Sequence, residues 1–257
     1  MKIEAVVVAV NYTDFFCWTA LANRGIFDKV VVVTDKKDKR VPTICSHYGY
    51  TCVQSDDLFS SDGRFLKFKA INLGLAKIDP NAWVCFLDSD IVLQPITRRV
   101  LEELKLDKKC LYGIDRLDCT GLKEWIEYCL NPTLVTDNWL LTQSRFRSFG
   151  SRIVHYWGQQ GENGKFGGWK PLGFFQLTHR SSFTEYPDDC SGADHCDMVF
   201  ANQYSRENRV LIPELFGIHL ESVGDRWGQN WAGRTSKSFN NLYCHEEPKH
   251  GEDDKKY

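Results

Sequence analysis

The sequence predicts an α/β fold built on a largely parallel sheet. Three observations predict it: Val-rich runs without polar alternation, helical segments between them, and Asn or Asp residues where those runs end. A strand covered by helices on both faces has no solvent side, so it reads as continuous apolar residues.

IEAVVVAV (3–10) is the first such run. Residues 13–24 have helical character and stop at Gly25, a residue suited to a helix terminus because it lacks a Cβ. KVVVVTD (29–35) is a second strand and YTCV (50–53) a short third. In RFLKFKAINLGLAKI, residues Phe65, Phe68, Ile71, Leu75 and Ile78 recur at helical spacing, and Pro80 and Asn81 end the helix. WVCFLDSDIVL (83–93) then opens on an apolar run, sets Asp88 and Asp90 two apart, and returns to Ile91, Val92 and Leu93. Burying two carboxylates there would be costly without a positive partner. Further on, 121–130 and 191–204 read as helices, GFFQL (173–177) and LFGIHL (215–220) as strands, and 158–170 as a Gly-rich loop carrying Trp169. The tail HEEPKHGEDDKKY has few apolar residues and reads as poorly ordered.

A chain of 257 residues, 42% apolar and 26% charged, is long enough to bury a sizeable core. Its 32 basic and 34 acidic residues leave a net charge of -2, which excludes the global field of a dedicated nucleic-acid binder. No run has the length of a membrane span and Met1 leads directly into a strand pattern, so the expectation is a cytoplasmic protein of a bacterium or a virus-infected host cell. The 10 cysteines include no CxxC pair, and several lie inside apolar runs; they read as reduced, buried small hydrophobes. No repeat or linker divides the chain, so one domain over 1–257 is expected, with no protein partner evident.

In open α/β sheets, ligands bind outside the carboxyl ends of the strands. Asn11, Asp35 and the Asp88/Asp90 pair all stand at such ends, which makes one crevice reached from three strands. A D-x-D triplet alone is common by chance; here a buried strand precedes it, and His219 lies in another strand far downstream. Two carboxylates and an imidazole would suit Mn²⁺ or Mg²⁺, the imidazole favouring Mn²⁺. The competing reading is a solvated turn whose Asp caps the next element. Asp35 would accept hydrogen bonds from a base or ribose, or serve as a plain turn residue. Asn11 and Tyr12 would help enclose the base. In SGADHCDMVF, Asp194 and Asp197 lie three apart on one helical face, while Ser191 and Asp194 also match a capping box.

The order of the opening strand, the TD that closes 29–35, KFKAINLGL (67–75), FLDSDIVL, GFFQL, SGADHCDMVF and GIHLES resembles that of the GT-A glycosyltransferases over about residues 3–220. The resemblance implies a nucleotide-diphospho-sugar transferase fold: a Rossmann-like, mixed but mostly parallel sheet flanked by helices. It divides the chain into a nucleotide-sugar half (1–93), an acceptor half (94–220) and a closing loop with a flexible tail (221–257). It also implies that Asp90 ligates a divalent ion bridging the donor diphosphate, that Asp88 faces ribose and metal, and that His219 completes the coordination. Lys69, Asn72 and Ala76 would form a strip approaching the nucleotide, Lys69 being otherwise a solvated boundary lysine. Asp194 would be the general base, with Asp197 or His195 as alternatives; a retaining enzyme would need no such base. Arg234 and Lys237 would fold over the diphosphate and Trp231 over the sugar. Trp169, Phe174 and Phe175 would wall the acceptor or sugar, unless Phe174 and Phe175 are core.

The implied activity is transfer of a sugar from a nucleotide sugar, expected to be a UDP-sugar, to a hydroxyl acceptor. Cleavage at the anomeric carbon leaves new negative charge on a diphosphate, which a divalent cation stabilises. One candidate acceptor is a hydroxymethylated DNA base, with Lys36/Lys37/Lys39/Arg40 and Arg145/Arg147/Arg152 as a phosphate track; a glycan or other soluble acceptor is another. A metal-dependent nucleotidyltransferase is the reading from a different class. It would show a Gly-rich, basic loop after the first strand, where this chain has VNYTDFF.

Overall fold

The computed structural model describes residues 1–119, 122–130, 146–149, 170–188 and 196–220. Among them the elements run β1 (Ile3–Val8), α1 (Thr13–Ala22), β2 (Lys29–Asp35), α2 (Arg40–Tyr48), β3 (Thr51–Ser55), α3 (Lys67–Leu75), β4 (Trp83–Asp88), β5 (Ile91–Leu93) and α4 (Thr97–Glu103). They continue with β6 (Leu111–Cys119), α5 (Leu122–Leu130), β7 (Phe146–Phe149), β8 (Phe175–His179), α6 (Cys196–Asn202) and β9 (Arg209–Leu220).

The strands form one sheet in the order β3-β2-β1-β4-β8-β6-β9-β5, with β7 paired to β6. The long ladders β1 with β4 and β6 with β9 are parallel, as are β1 with β2 and β2 with β3; β8, β5 and β7 run antiparallel to their neighbours. This is the mixed, mostly parallel α/β architecture that the apolar runs predict. From β1 the chain steps outward to β2 and β3, then crosses back to lay β4 on the other side of β1. The order reverses between β1 and β4, so their carboxyl ends frame a crevice at the switch point.

Both faces of the sheet are covered. On one, Ala5, Val7, Val32 and Cys85 pack with Phe16 and Ala20 of α1, Val41 and Cys45 of α2, and Leu101 of α4. On the other, Val6, Val31, Val84 and Phe86 meet Ile71 and Leu75 of α3 and Phe200 and Ala201 of α6. Gly74 allows α3 to lie close against the sheet: a Cβ there would stand 2.5 Å from Val6 Cγ1.

The run 83–93 is two strands rather than one. β4 pairs with β1 and β8, while β5 pairs with β9, so the D-S-D triplet is the turn by which the chain leaves one part of the sheet for another. Helix α2 is hidden in the sequence by Pro42, which is tolerated in the first turn, where Asp38 Oδ1 accepts from the backbone N–H groups of Arg40 and Val41. Strand β6 is hidden by its charged residues. β9 starts well before LFGIHL: Pro213 sits in an irregularity where the register passes from Ile114 opposite Ile212 to Asp115 opposite Phe216, and such a break accommodates a residue without an N–H. The helix expected over 191–204 is described as Cys196–Asn202. The loop 158–169 and the tail lie outside the described residues.

The eight described cysteines carry no disulfide. Among the described residues no helix is long and apolar enough to cross a membrane.

Candidate functional site

The D-S-D turn is held from behind. Thr19 Oγ1 on α1 donates to the Ser89 carbonyl at 2.7 Å. One turn on, Asn23 clamps β5, donating to the Ile91 carbonyl and accepting from the Leu93 N–H, both at 2.8 Å. On its other side β5 is zipped to β9, with Ile91 opposite His219 and the Leu220 N–H donating to the Asp90 carbonyl at 2.9 Å. This register places the His219 imidazole beside Asp90, Nε2 to Oδ2 3.1 Å. Asp90 is 6% exposed, so its charge is held by a built environment rather than by water.

Asp88 ends β4, and its backbone N–H donates to the Phe174 carbonyl at 3.2 Å. Its side chain is paired with a lysine: Oδ1 accepts from Lys67 Nζ at 2.5 Å, and the Asp88 and Lys67 side chains keep 32% and 17% exposure. Burial, helped by repulsion from Asp90 and Asp197, pushes the Asp88 carboxyl above the usual carboxylate range despite Lys67. Burial opposes the Lys67 ammonium, but Asp88, Cys196 and Asp197 hold its pKa above that of an ordinary lysine. In this pocket the carboxylates Asp88 and Asp90 face the cations Lys67 and Arg116.

Asp88, Ser89, Asp90 and His219 share one pocket with Val8, Val10, Tyr12, Phe65, Lys67 and Arg116; its volume is about 100 Å³. The Arg116 guanidinium lies 5.1 Å from the centre of the Phe174 ring. The metal-ligand types expected from the sequence are therefore on one wall, and carboxylate plus imidazole donors fit Mn²⁺ or Mg²⁺. Yet among the described residues no three His, Cys, Asp or Glu side chains converge as a metal cluster. Asp90 and His219 meet each other, while Asp88 is paired with Lys67.

The other expected positions are dispersed. Tyr12 lines the pocket; Asn11 precedes it in the left-handed region (φ 57°), turning the chain from β1 into α1. Asp35 accepts from the Lys37 N–H at 2.7 Å, which makes it a turn residue in this structure. Lys69 is paired with Asp57 at the surface. Both polar atoms of Asn72 are spent on the Tyr186 backbone, Nδ2 donating to its carbonyl and Oδ1 accepting from its N–H, each at 2.8 Å. Neither Lys69 nor Asn72 lines the pocket. Asp197 accepts from the Gly173 N–H at 2.7 Å and from the Met198 N–H at 2.8 Å, binding α6 to the entry of β8. A Cβ on Gly173 would stand 2.7 Å from Asp197 Cβ, so this contact needs glycine. Phe174 and Phe175 are core, 3% and 0% exposed, rather than a wall for a sugar. Asp194, His195, Trp169, Trp231, Arg234 and Lys237 lie outside the described residues.

Lys67 and Arg116 are the site residues that the sequence does not single out. KFK offers two lysines about 200° apart on a helix, so only one can face the crevice. The neighbouring letters do not say which.

A larger concavity, about 780 Å³, opens at the other end of β4 between Lys108, Lys109, Ser181–Glu185 and Gln203–Ser205. It holds hydroxyls and two lysines but no converging carboxylates and imidazole. Volume and chemistry thus point to different ends of the sheet, and chemistry decides.

No family model and no curated protein matches this chain. Among solved structures it is similar to mannosyl-3-phosphoglycerate synthase from Rubrobacter xylanophilus, with 12% identity over 87% of this chain and 67% of that one, and a TM-score of 0.49. It is also similar to glucosyl-3-phosphoglycerate synthase from Mycobacterium tuberculosis in complex with Mn²⁺ and uridine-diphosphate-glucose, with 14% identity, 87% and 73% coverage and a TM-score of 0.42. A mycobacterial protein gives 15% identity, 86% and 68% coverage and a TM-score of 0.45. Identities and TM-scores this low carry no conclusion about activity, so the functional reading rests on the site itself.

Proposed function

We propose that this chain is a divalent-metal-dependent glycosyltransferase of the GT-A type, moving a sugar from a nucleotide sugar, a UDP-sugar by preference, to a hydroxyl acceptor. The observation that carries the reading is the Asp90–His219 contact at 3.1 Å, beside Asp88, at the switch-point crevice between β1 and β4. Asp90 and His219, joined by Asp88, would hold the ion. When bound, such an ion supplies charge stabilisation for the departing diphosphate.

The chain's own residues do the remaining work. Thr19 and Asn23 fix the D-S-D turn so that Asp88 and Asp90 are presented rigidly. Lys67 and Arg116 supply the positive wall that a diphosphate needs, and Tyr12 offers an aromatic edge at the mouth of β1. Asp197 positions α6 and the β8 entry. The proton acceptor for the incoming hydroxyl falls to Asp194 or His195, immediately before α6.

Two competing readings are less well supported. A nucleotidyltransferase would present a glycine-rich, basic loop after β1, whereas this chain turns there through Asn11 and Tyr12 into α1. For a DNA acceptor, Lys36 of the 36–40 cluster is already paired with Asp56 at 3.1 Å.

A thermal-shift panel of nucleotide sugars, with and without Mn²⁺, tests class and donor together. The expected result is stabilisation by UDP-sugars that requires Mn²⁺. Equal shifts without metal, or shifts only with nucleoside triphosphates, would overturn the reading.

A further inference from the structure

We infer that Lys67 is a built-in counter-ion that makes divalent-metal binding conditional on the nucleotide diphosphate. The inference rests on the glycosyltransferase reading of the same pocket, and deepens it by assigning a residue that couples the two ligands.

The pocket wall holds two carboxylates, Asp88 and Asp90, against two cations, Lys67 and Arg116, with the His219 imidazole beside them. The fixed charges balance before any ligand arrives. A lone divalent cation entering this wall would meet the Lys67 ammonium already seated on Asp88 Oδ1 at 2.5 Å. To recruit Asp88 it would have to break that ion pair and leave the ammonium, only 17% exposed, close to a second positive charge. The absence of a three-ligand cluster among the described residues is the structural counterpart: Asp90 and His219 are together, and the third donor is held by lysine.

A nucleoside diphosphate changes the balance. Its negative charge lets both cations stay in the pocket, the metal on the carboxylates and Lys67 within the field of the phosphates, so each ligand strengthens the other's binding. Lys67 therefore acts as a positioning residue for Asp88. It keeps the site from filling with metal alone, and it couples Mn²⁺ to the donor. Its place in the first turn of α3 suits the role, because α3 is anchored to the sheet through Gly74 while the side chain reaches across to the end of β4.

The test is a binding measurement without turnover. Free Mn²⁺ is followed by electron paramagnetic resonance during titration of the protein, with and without UDP, for wild type, Lys67→Gln and Lys67→Arg. In wild type, UDP should tighten Mn²⁺ binding at least about tenfold. In Lys67→Gln, which keeps a hydrogen-bond donor but no charge, Mn²⁺ alone should bind about tenfold more tightly, and the gain from UDP should shrink correspondingly. Lys67→Arg keeps the charge and should keep the coupling; melting curves establish that each variant is folded. Tightening by UDP that is the same in wild type and Lys67→Gln would overturn the counter-ion role while leaving the glycosyltransferase reading in place. No Mn²⁺ binding by wild type, even with UDP, would overturn both. Should Lys67→Gln fail to fold, Lys67→Arg decides: loss of coupling in a folded variant that retains the charge would overturn the inference.

Discussion

The two ends of β4 differ in what they gather. At the Trp83 end lies the roomier concavity, about 780 Å³, framed by Lys108, Lys109 and the Ser181–Glu185 segment, where Ser182 Oγ donates to the His179 carbonyl at 2.7 Å and lies 3.1 Å from the Tyr204 hydroxyl. At the Asp88 end the pocket is only about 100 Å³, but ionisable side chains from α3, β4, β6 and β9, with the D-S-D turn, meet there. Space alone does not make a functional site. What distinguishes the Asp88 end is charge brought together by elements far apart in sequence and held there at a desolvation cost, which a structure without a use for it would avoid.

The comparison is broken most directly by removing charge from each end. His219→Ala should reduce Mn²⁺-dependent release of UDP from its preferred sugar nucleotide about 100-fold, consistent with loss of a metal ligand. The paired change Lys108→Ala/Lys109→Ala at the Trp83 end should leave the rate unchanged. The reverse pattern in a UDP-release assay would move the site to the other end. Next in size, Gly173→Ala drives a methyl group into Asp197 and should cost about 1–3 kcal/mol in urea unfolding, with a lower rate because α6 and the Phe174 carbonyl under Asp88 shift together.

Two α3 residues sharpen the boundary of the site. Asn72→Ala removes both hydrogen bonds to the Tyr186 backbone and should lower stability by about 2 kcal/mol, with UDP affinity close to that of wild type. Lys69→Ala removes a surface ion pair and should change stability by less than about 1 kcal/mol. A large loss of UDP affinity in either variant, without loss of stability, would restore that residue to the nucleotide wall.

The smallest expected effect belongs to the Trp83 end and to pH. His179 is buried against Trp83; burial, reinforced by Lys108, holds its imidazole pKa below the ordinary value. The unfolded chain then binds a proton that the fold refuses, so stability present above the unfolded pKa is lost as pH falls through it toward the folded value. Urea midpoints should decline from pH 7.5 to 5, and His179→Gln should flatten that decline.

How much of this was legible depends on whether a residue's partner leaves a trace in the local sequence. β1, β2 and β4 are readable because coverage on both faces leaves them uniformly apolar. Asp90 and His219 are readable because each interrupts an apolar strand pattern where a strand meets the crevice. β6 is not: LYGIDRLDC carries three charged residues, of which Arg116 lines the crevice, and these erase the apolar run. Asn72 reads as a ligand contact because nothing nearby in the sequence explains a polar residue there; its partner, Tyr186, is 114 residues away. The local sequence does not separate Lys67 from Lys69, because the choice is made by the rotation of α3 on the sheet, where Gly74 approaches Val6.

The central claim is that metal and nucleotide meet at the Asp88 end of β4. Anomalous scattering at the manganese edge, from crystals grown with Mn²⁺ and UDP, tests it most directly. The account predicts a single manganese peak within about 2.5 Å of Asp90 and His219 side-chain atoms, with UDP phosphates on its open side. Manganese and UDP bound instead in the concavity between Lys109 and Ser182 would contradict it.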